Sequence, residues 1–201
     1  NRMLILVEGP AGSIHAVDSV VSEFGGGTGI PEEMPVVKEA VVVIERAAKF
    51  RECDLVLIGR NVRFNIIESS LDGQSFSIER SNVQTFNIPL LGSHQIENAA
   101  TSYAALKASG IPITDEQIQK GFAQVKWRAR FEVARRDPPV VFDSAHNQDS
   151  FEKLRQTLDE HFPGRQVYLI FGASEDKNIP GMFAEMKPRI KRLIVTRANH
   201  P

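Results

Sequence analysis

The chain has a single cysteine, Cys53, among its 201 residues. That excludes an internal disulfide and a Cys-rich zinc site, and no Cys-His pairing nearby marks Cys53 as a nucleophile. Long apolar runs are also missing. A bilayer-spanning helix needs about 20 consecutive apolar residues, whereas runs such as 3–7 and 140–142 have the length of core strands. Neither sign of charge dominates. Lys plus Arg is 24 and Asp plus Glu is 25, so the formal charge is −1, with no basic excess for nucleic acid or an anionic membrane surface. No secretory signal is visible. A cytoplasmic protein that engages neither nucleic acid nor membrane is the expectation. A Gly-Lys-Ser/Thr phosphate loop is absent too. The run Gly25-Gly26-Gly27-Thr28-Gly29 lacks the spacing of a dinucleotide fingerprint and follows no strand, so a flexible turn is expected there.

What is present is ordinary for a globular protein: 42% hydrophobic and 24% charged residues, in a chain long enough for one large domain or two small ones. Residues 3–7 read as a strand, 14–24 as a helix, 39–50 as a strongly apolar helix and 55–59 as a strand. Between 63 and 91 the pattern becomes short alternating segments broken by Asp72-Gly73 and Ser81-Asn82. These are hairpin signals that predict a small antiparallel extension. Two helices follow at 93–109 and 115–125, separated by Gly110-Ile111-Pro112, and a domain boundary is placed near 127–129. The second half alternates strand and helix: strands at 130–135, 139–143, 166–172 and 193–196, with an amphipathic helix at 149–161. Another helix opens at Pro180, with Phe183, Met186 and Ile190 as its apolar stripe. Buried strands alternating with helices predict a mainly parallel sheet covered on both faces. The chain starts at Asn1 without Met and stops at Pro201 just after a strand, and a piece of a longer protein is expected.

Four short constellations carry polar chemistry. In the first, Ser93 reads as a helix N-cap, and His94 and Asn98, four apart, share a face with Gln95 beside them. A carboxamide there can pair with an adenine edge, or these side chains can simply satisfy loop backbone groups. In the second, Arg130 after Trp127 can fork onto a phosphate or pair with Glu132 or Asp137. In the third, Asp143 and His146 follow the carboxyl end of a strand, where open α/β sheets bind ligands; the carboxylate can accept both hydroxyls of a ribose, while Asn147 can cap the next helix. In the fourth, Lys177 in a strand-to-helix loop can meet a carboxylate or phosphate, or face solvent.

The order and spacing of these segments resemble the folylpolyglutamate synthase and dihydrofolate synthase branch of the Mur ligase superfamily. LLGSHQIENAATSYAAL at 90–106 resembles the family form G-x-H-Q-x-x-N-A, WRARFEV at 127–133 resembles W-P-x-R-x-E, FDSAHN at 142–147 resembles D-G-A-H-N, and FGASEDKN at 171–178 resembles G-A-x-x-D-K-D. The resemblance spans a little under half the chain. It implies a partial central ATPase-type α/β domain over 1–128 and a Rossmann-like C-terminal domain over 129–201. By the same resemblance, Asn98, with His94 and Gln95 beside it, meets the adenine end of ATP. Arg130 reaches the phosphates, Asp143 takes the ribose with His146 next to it, and Lys177 meets substrate.

The implied reaction transfers the γ-phosphate of ATP to the terminal carboxylate of a folate, and L-glutamate then displaces phosphate from the acyl phosphate. Arg130 and His146 stand as catalytic candidates, ATP and Mg²⁺ as cofactors, and a monomer as the assembly. Departures from the family are the missing phosphate loop and magnesium ligands, the absence of Lys in the Gly25–Ile30 region, Arg128 in place of Pro and Ser144 in place of Gly. The first two imply a chain that does not catalyse the reaction by itself. The alternatives are a peptidoglycan amino-acid ligase of the Mur type, against which the H-Q-x-x-N and W-x-x-R forms speak, and a non-catalytic relative that binds nucleotide or a partner.

Overall fold

The computed structural model describes residues 5–8, 14–19, 35–79, 82–173 and 177–196, with the backbone alone for 5–8, 14–19 and 35–40. The Gly25–Gly29 run, Ser81 and the loop residues 174–176 lie outside the described residues.

The first half opens with β1 (Ile5–Glu8), β2 (Ile14–Ser19), α1 (Pro35–Phe50) and β3 (Leu55–Ile58). β2 is central, antiparallel to β1 and parallel to β3. The helix expected over 14–24 is therefore corrected: 14–19 is a strand, and 20–24 lies outside the described residues. A short apolar run does not distinguish helix from strand by periodicity, and here hydrogen-bond partners on both sides decide it. β4 (Arg63–Ser70), β5 (Gly73–Glu79) and β6 (Val83–Ile88) form the expected antiparallel extension, in the order β4-β5-β6. Inward residues Phe76, Ile78, Phe86 and Ile88 alternate along β5 and β6 and are buried. They pack on Ile96, Ala100, Tyr103 and Ala104 of α2 (Ser93–Ala108) and on Ile118 of α3 (Asp115–Ala123). Phe86 touches both Tyr103 and Phe122, at ring-centroid distances of 5.3 and 5.6 Å. Small residues along α2 allow that helix to lie close to β2 and β3 on one side and to the extension on the other.

The second half holds β7 (Glu132–Arg136), β8 (Pro139–Phe142), α4 (Gln148–His161), β9 (Val167–Phe171), α5 (Ile179–Met186), a 3₁₀ turn (Lys187–Arg189) and β10 (Ile190–Val195). β9 and β10 pair in parallel, as expected, but β7 and β8 form an antiparallel hairpin. Only Asp137 and Pro138 separate β7 from β8, and a parallel pairing needs a crossover of a dozen or more residues. The expected two-sided burial also changes. Phe171 is buried while Tyr168, Ile170 and Val195 are 61%, 69% and 70% exposed. α4 and α5 pack on each other, and both join the cluster holding Phe171, so the outer residues of β9 and β10 stay uncovered among the described residues. That cluster, with Phe131, Phe151, Met182 and Met186 at its centre, also takes in Leu91 and Leu71 from the first half. Among the described residues no helix is long and apolar enough to cross a membrane.

Phe76 is fully buried and Ile66, one strand away, is 48% exposed. Phe76→Ala should cost about 3–5 kcal/mol and Ile66→Ala within about 1 kcal/mol. Urea unfolding followed by circular dichroism measures both.

Candidate functional site

The first site segment is held from three directions. Leu91 is buried in the second-half cluster. Gly92 has φ +97°, and a Cβ there would lie 2.5 Å from Thr157 Oγ1 of α4 and 2.7 Å from His94 Cε1. Only glycine fits, because the backbone is left-handed and the space is already taken. From below, the buried Gln74 side chain donates its amide to the carbonyls of Leu90 and Gly92 at 2.6 and 3.1 Å. Gly92 therefore occupies the N-cap position, and Ser93, expected to cap, begins the helix without a side-chain capping bond. The tight turn leaves Gln95 N–H bonded to the Gly92 carbonyl at 2.9 Å.

Beyond this turn runs a polar chain on α2. Gln95 Nε2 lies 2.9 Å from His94 Nε2, and Asn98 Nδ2 donates to Gln95 Oε1 at 3.4 Å. Gln95 is buried and Asn98 exposed, so the chain starts in the interior and ends in solvent. Burial lowers the His94 pKa from 6.5 to about 4. The charges of Lys153 and Arg130 add to that, and Asp149 opposes it. Neutral His94 accepts at Nε2 from the Gln95 amide, with its proton on Nδ1. Asp149, Lys153 and Thr157 are spaced by four on α4, so one helix face lies along the start of α2.

The second and third segments are bound to each other. Ala129 and Phe131, on either side of Arg130, have φ of 54° and 48°, a conformation costing a non-glycine residue roughly 1–3 kcal/mol. Surrounding bonds hold it. Ala129 N–H donates to Glu132 Oε2 at 2.9 Å, the Ala129 carbonyl accepts from Ser144 N–H at 2.8 Å, and Phe131 N–H donates to Asp143 Oδ2 at 2.8 Å. The other Asp143 oxygen accepts from Ala145 N–H at 2.7 Å. Partial burial raises the Asp143 pKa, against the pull of both N–H groups and of Arg130. The Arg130 guanidinium lies 4.9 Å from the Trp127 ring centroid, a cation–π distance.

Arg130 thus stands in electrostatic reach of His94 on one side and of Asp143 on the other. Asn98 joins them only through Gln95 and His94; among the described residues no hydrogen bond links it to Arg130 or Asp143. His146 is exposed, with Nδ1 3.1 Å from the Ser144 carbonyl and its N–H donating to Ser150 Oγ. Asn147 caps α4 in a capping box with Ser150. Lys177 is half-buried ahead of α5, whose N-cap is Asn178. Three participants had no sequence signal. Gln74 sits in an ordinary strand, Lys153 and Thr157 in an ordinary amphipathic helix, and only the fold brings them to the Gly92 turn. A separate open cleft of about 330 Å³, lined by Glu68, Asp72, Gln74, Asn87 and Pro89 among others, contains none of the expected site residues.

Comparisons with known proteins agree with this architecture. Residues 129–201 match the Mur ligase, glutamate ligase domain. The dihydrofolate synthase/folylpolyglutamate synthase of Bacillus subtilis is 32% identical over 117 residues, 56% of this chain and 27% of that protein. Its counterpart in Escherichia coli is 31% identical over 137 residues, 68% of this chain and 32% of that protein. The chain therefore spans about a third or less of the length of these relatives. Among solved structures, folylpolyglutamate synthase from Thermotoga maritima aligns with a TM-score of 0.69 at 28% identity, covering 82% of this chain and 39% of that one. The Mycobacterium tuberculosis folylpolyglutamate synthase complexed with ADP aligns at 0.71 and 25% identity, covering 84% and 38%. Fold and matches together are those of a Mur ligase-type α/β protein. Within that family, the similarity is to the folylpolyglutamate synthase/dihydrofolate synthase branch.

Two outcomes test the geometry. Gly92→Ala should destabilise the protein by at least about 1–3 kcal/mol, read as a lower urea midpoint, because it must displace Thr157 or His94. His94 should titrate near 4 by NMR. Its folded pKa lies below the unfolded value, so the unfolded chain binds the extra proton between these two values. Stability from His94 is complete above pH 6.5 and is lost as pH falls towards 4, by up to about 3 kcal/mol. His94→Gln should flatten that slope.

Proposed function

We propose that this chain is part of an ATP-dependent ligase that joins L-glutamate to the terminal carboxylate of a reduced folate. In this reading 1–128 is a partial central domain and 129–201 the C-terminal domain. The γ-phosphoryl group of ATP passes to the folate carboxylate, leaving ADP and an acyl phosphate. The glutamate amine then attacks the carbonyl carbon, loses a proton, and inorganic phosphate departs as the amide forms. Asn98 meets the adenine edge, with its amide oriented through Gln95 and His94. Arg130 faces the phosphates, Asp143 the ribose with His146 beside it, and Lys177 the substrate carboxylate. A cationic group is the right chemistry where phosphate charge develops, and a guanidinium matches phosphate oxygens two at a time.

The observation that carries this reading is the junction itself: Arg130 and Lys153 both bear on His94, at the head of the helix that presents Asn98. The ADP complex of the M. tuberculosis relative and the family match over 129–201 support it. Magnesium belongs to the same chemistry. Among the described residues no three His, Cys, Asp or Glu side chains gather to hold a metal, so its ligands are expected outside these residues. We take the protein to work as a cytoplasmic monomer, and the 201-residue chain alone to be inactive.

The test is ADP release by the full-length protein. Release should require both glutamate and folate, and should not respond to a UDP-sugar acceptor, which separates this reading from a peptidoglycan ligase. Release indifferent to folate and glutamate would end the proposal. Arg130→Ala should lower kcat by roughly 10²- to 10³-fold, and Asn98→Ala should raise the KM for ATP by roughly tenfold with a smaller effect on kcat.

A further inference from the structure

Resting on that reading for what Arg130 meets, we infer that Asp143 is a positioning residue for Arg130: its carboxylate locks the turn 129–131 and holds the guanidinium against Trp127. Both carboxylate oxygens already accept a short backbone hydrogen bond, from Phe131 N–H at 2.8 Å and from Ala145 N–H at 2.7 Å. One of these partners immediately follows Arg130; the other belongs to the loop after β8. Asp143 is thus a staple between two loops, and Arg130 sits in the stapled one. The need for a staple is written in the backbone, where the residues on both sides of Arg130 are left-handed and neither is glycine. Such a turn persists only when its surroundings fix it. The remaining bonds, Glu132 to the Ala129 N–H and Ser144 N–H to the Ala129 carbonyl, hold its amino end. The buried Phe131 ring, stacked on Phe162 at 6.4 Å, anchors its carboxyl end. Within the turn only the Phe131 N–H depends on Asp143, and asparagine cannot satisfy it and the Ala145 N–H together. A carboxamide accepts at one atom only, so one of the two N–H groups would face its NH₂ group. The second lone pair on each Asp143 oxygen remains available to a ribose, so the positioning role adds to that contact.

Trp127 is the only tryptophan in the chain, so its fluorescence reports directly on the guanidinium stacked against it. Arg130→Ala, compared with wild type, sets the signature of a lost stack: altered emission and stronger acrylamide quenching. Asp143→Asn should reproduce that signature while far-ultraviolet circular dichroism stays native. The double variant should look no different from Arg130→Ala alone. If Asp143→Asn does not fold, Asp143→Glu takes its place, since one extra methylene also prevents both bonds from closing. Wild-type emission in the variant used overturns the proposal. So does an unchanged signal in Arg130→Ala, because the stack would then not exist in solution. This readout involves no nucleotide, so the proposal and the ligase reading can fail separately. A nucleotide comparison on the full-length protein closes the test. The loss of affinity in Asp143→Asn, roughly ten- to a hundredfold for ATP, should be smaller but still present for 2′,3′-dideoxy-ATP, because the positioning part does not involve the ribose hydroxyls. A loss that disappears with the dideoxy nucleotide would mean that Asp143 acts on the ribose alone.

Discussion

The turn at Leu91 and Gly92 is the constraint on which the rest of this structure depends. Leu91 is a core residue of the second half although it belongs to the first, and Gly92 is pressed so closely against α4 that no side chain fits. Gln74 ties the same turn to the β4–β6 sheet. A single tetrahedral carbon at position 92 would force apart α2, α4 and the His94 ring at once. Because α2 begins there, the direction of its first turn, and with it the placement of His94, Gln95 and Asn98, is set by packing rather than by a capping side chain.

Around that turn the polar groups form two assemblies of different character. The α2 chain runs from a half-buried neutral imidazole through a buried carboxamide to an exposed one, each member oriented by its neighbour. A charged His94 would sit next to two cations, which is why burial and charge together keep it neutral. The other assembly is the pair of loops 129–131 and 143–145, where strained backbone is held by acceptors that face it. Two cationic side chains, Arg130 and Lys153, are gathered beside a neutral histidine, with Asp149 and Asp143 as their counter-charges. A guanidinium and an ammonium so placed have the chemistry that meets an anionic ligand.

Much of the architecture could be read from the chain. The hairpin turns at Asp72-Gly73 and near Asn82 correctly mark the antiparallel extension, since these residues tolerate the backbone such turns need. The apolar spacing of Phe151, Leu154 and Leu158 marks α4. Three features were not legible, each for a physical reason. Residues 14–19 form a strand because partners far away in sequence flank them. The β7–β8 hairpin follows from a two-residue connection, which periodicity alone does not weigh. The outer faces of β9 and β10 carry apolar residues that pattern alone reads as buried, yet no described element covers them. At the site, motif residues Asn98, Arg130 and Asp143 were visible as candidates, but Gln74, Lys153 and Thr157 were not. Their contribution depends on where the fold delivers ordinary side chains.

The most direct test of the central claim is a crystal structure of the full-length protein with a bound ATP analogue. The account predicts one nucleotide across the junction, with the Asn98 amide on the adenine edge, Asp143 at the ribose and the Arg130 guanidinium within hydrogen-bonding distance of a phosphate oxygen. A nucleotide bound elsewhere, or bound with Asn98 and Arg130 turned away from it, would contradict the account.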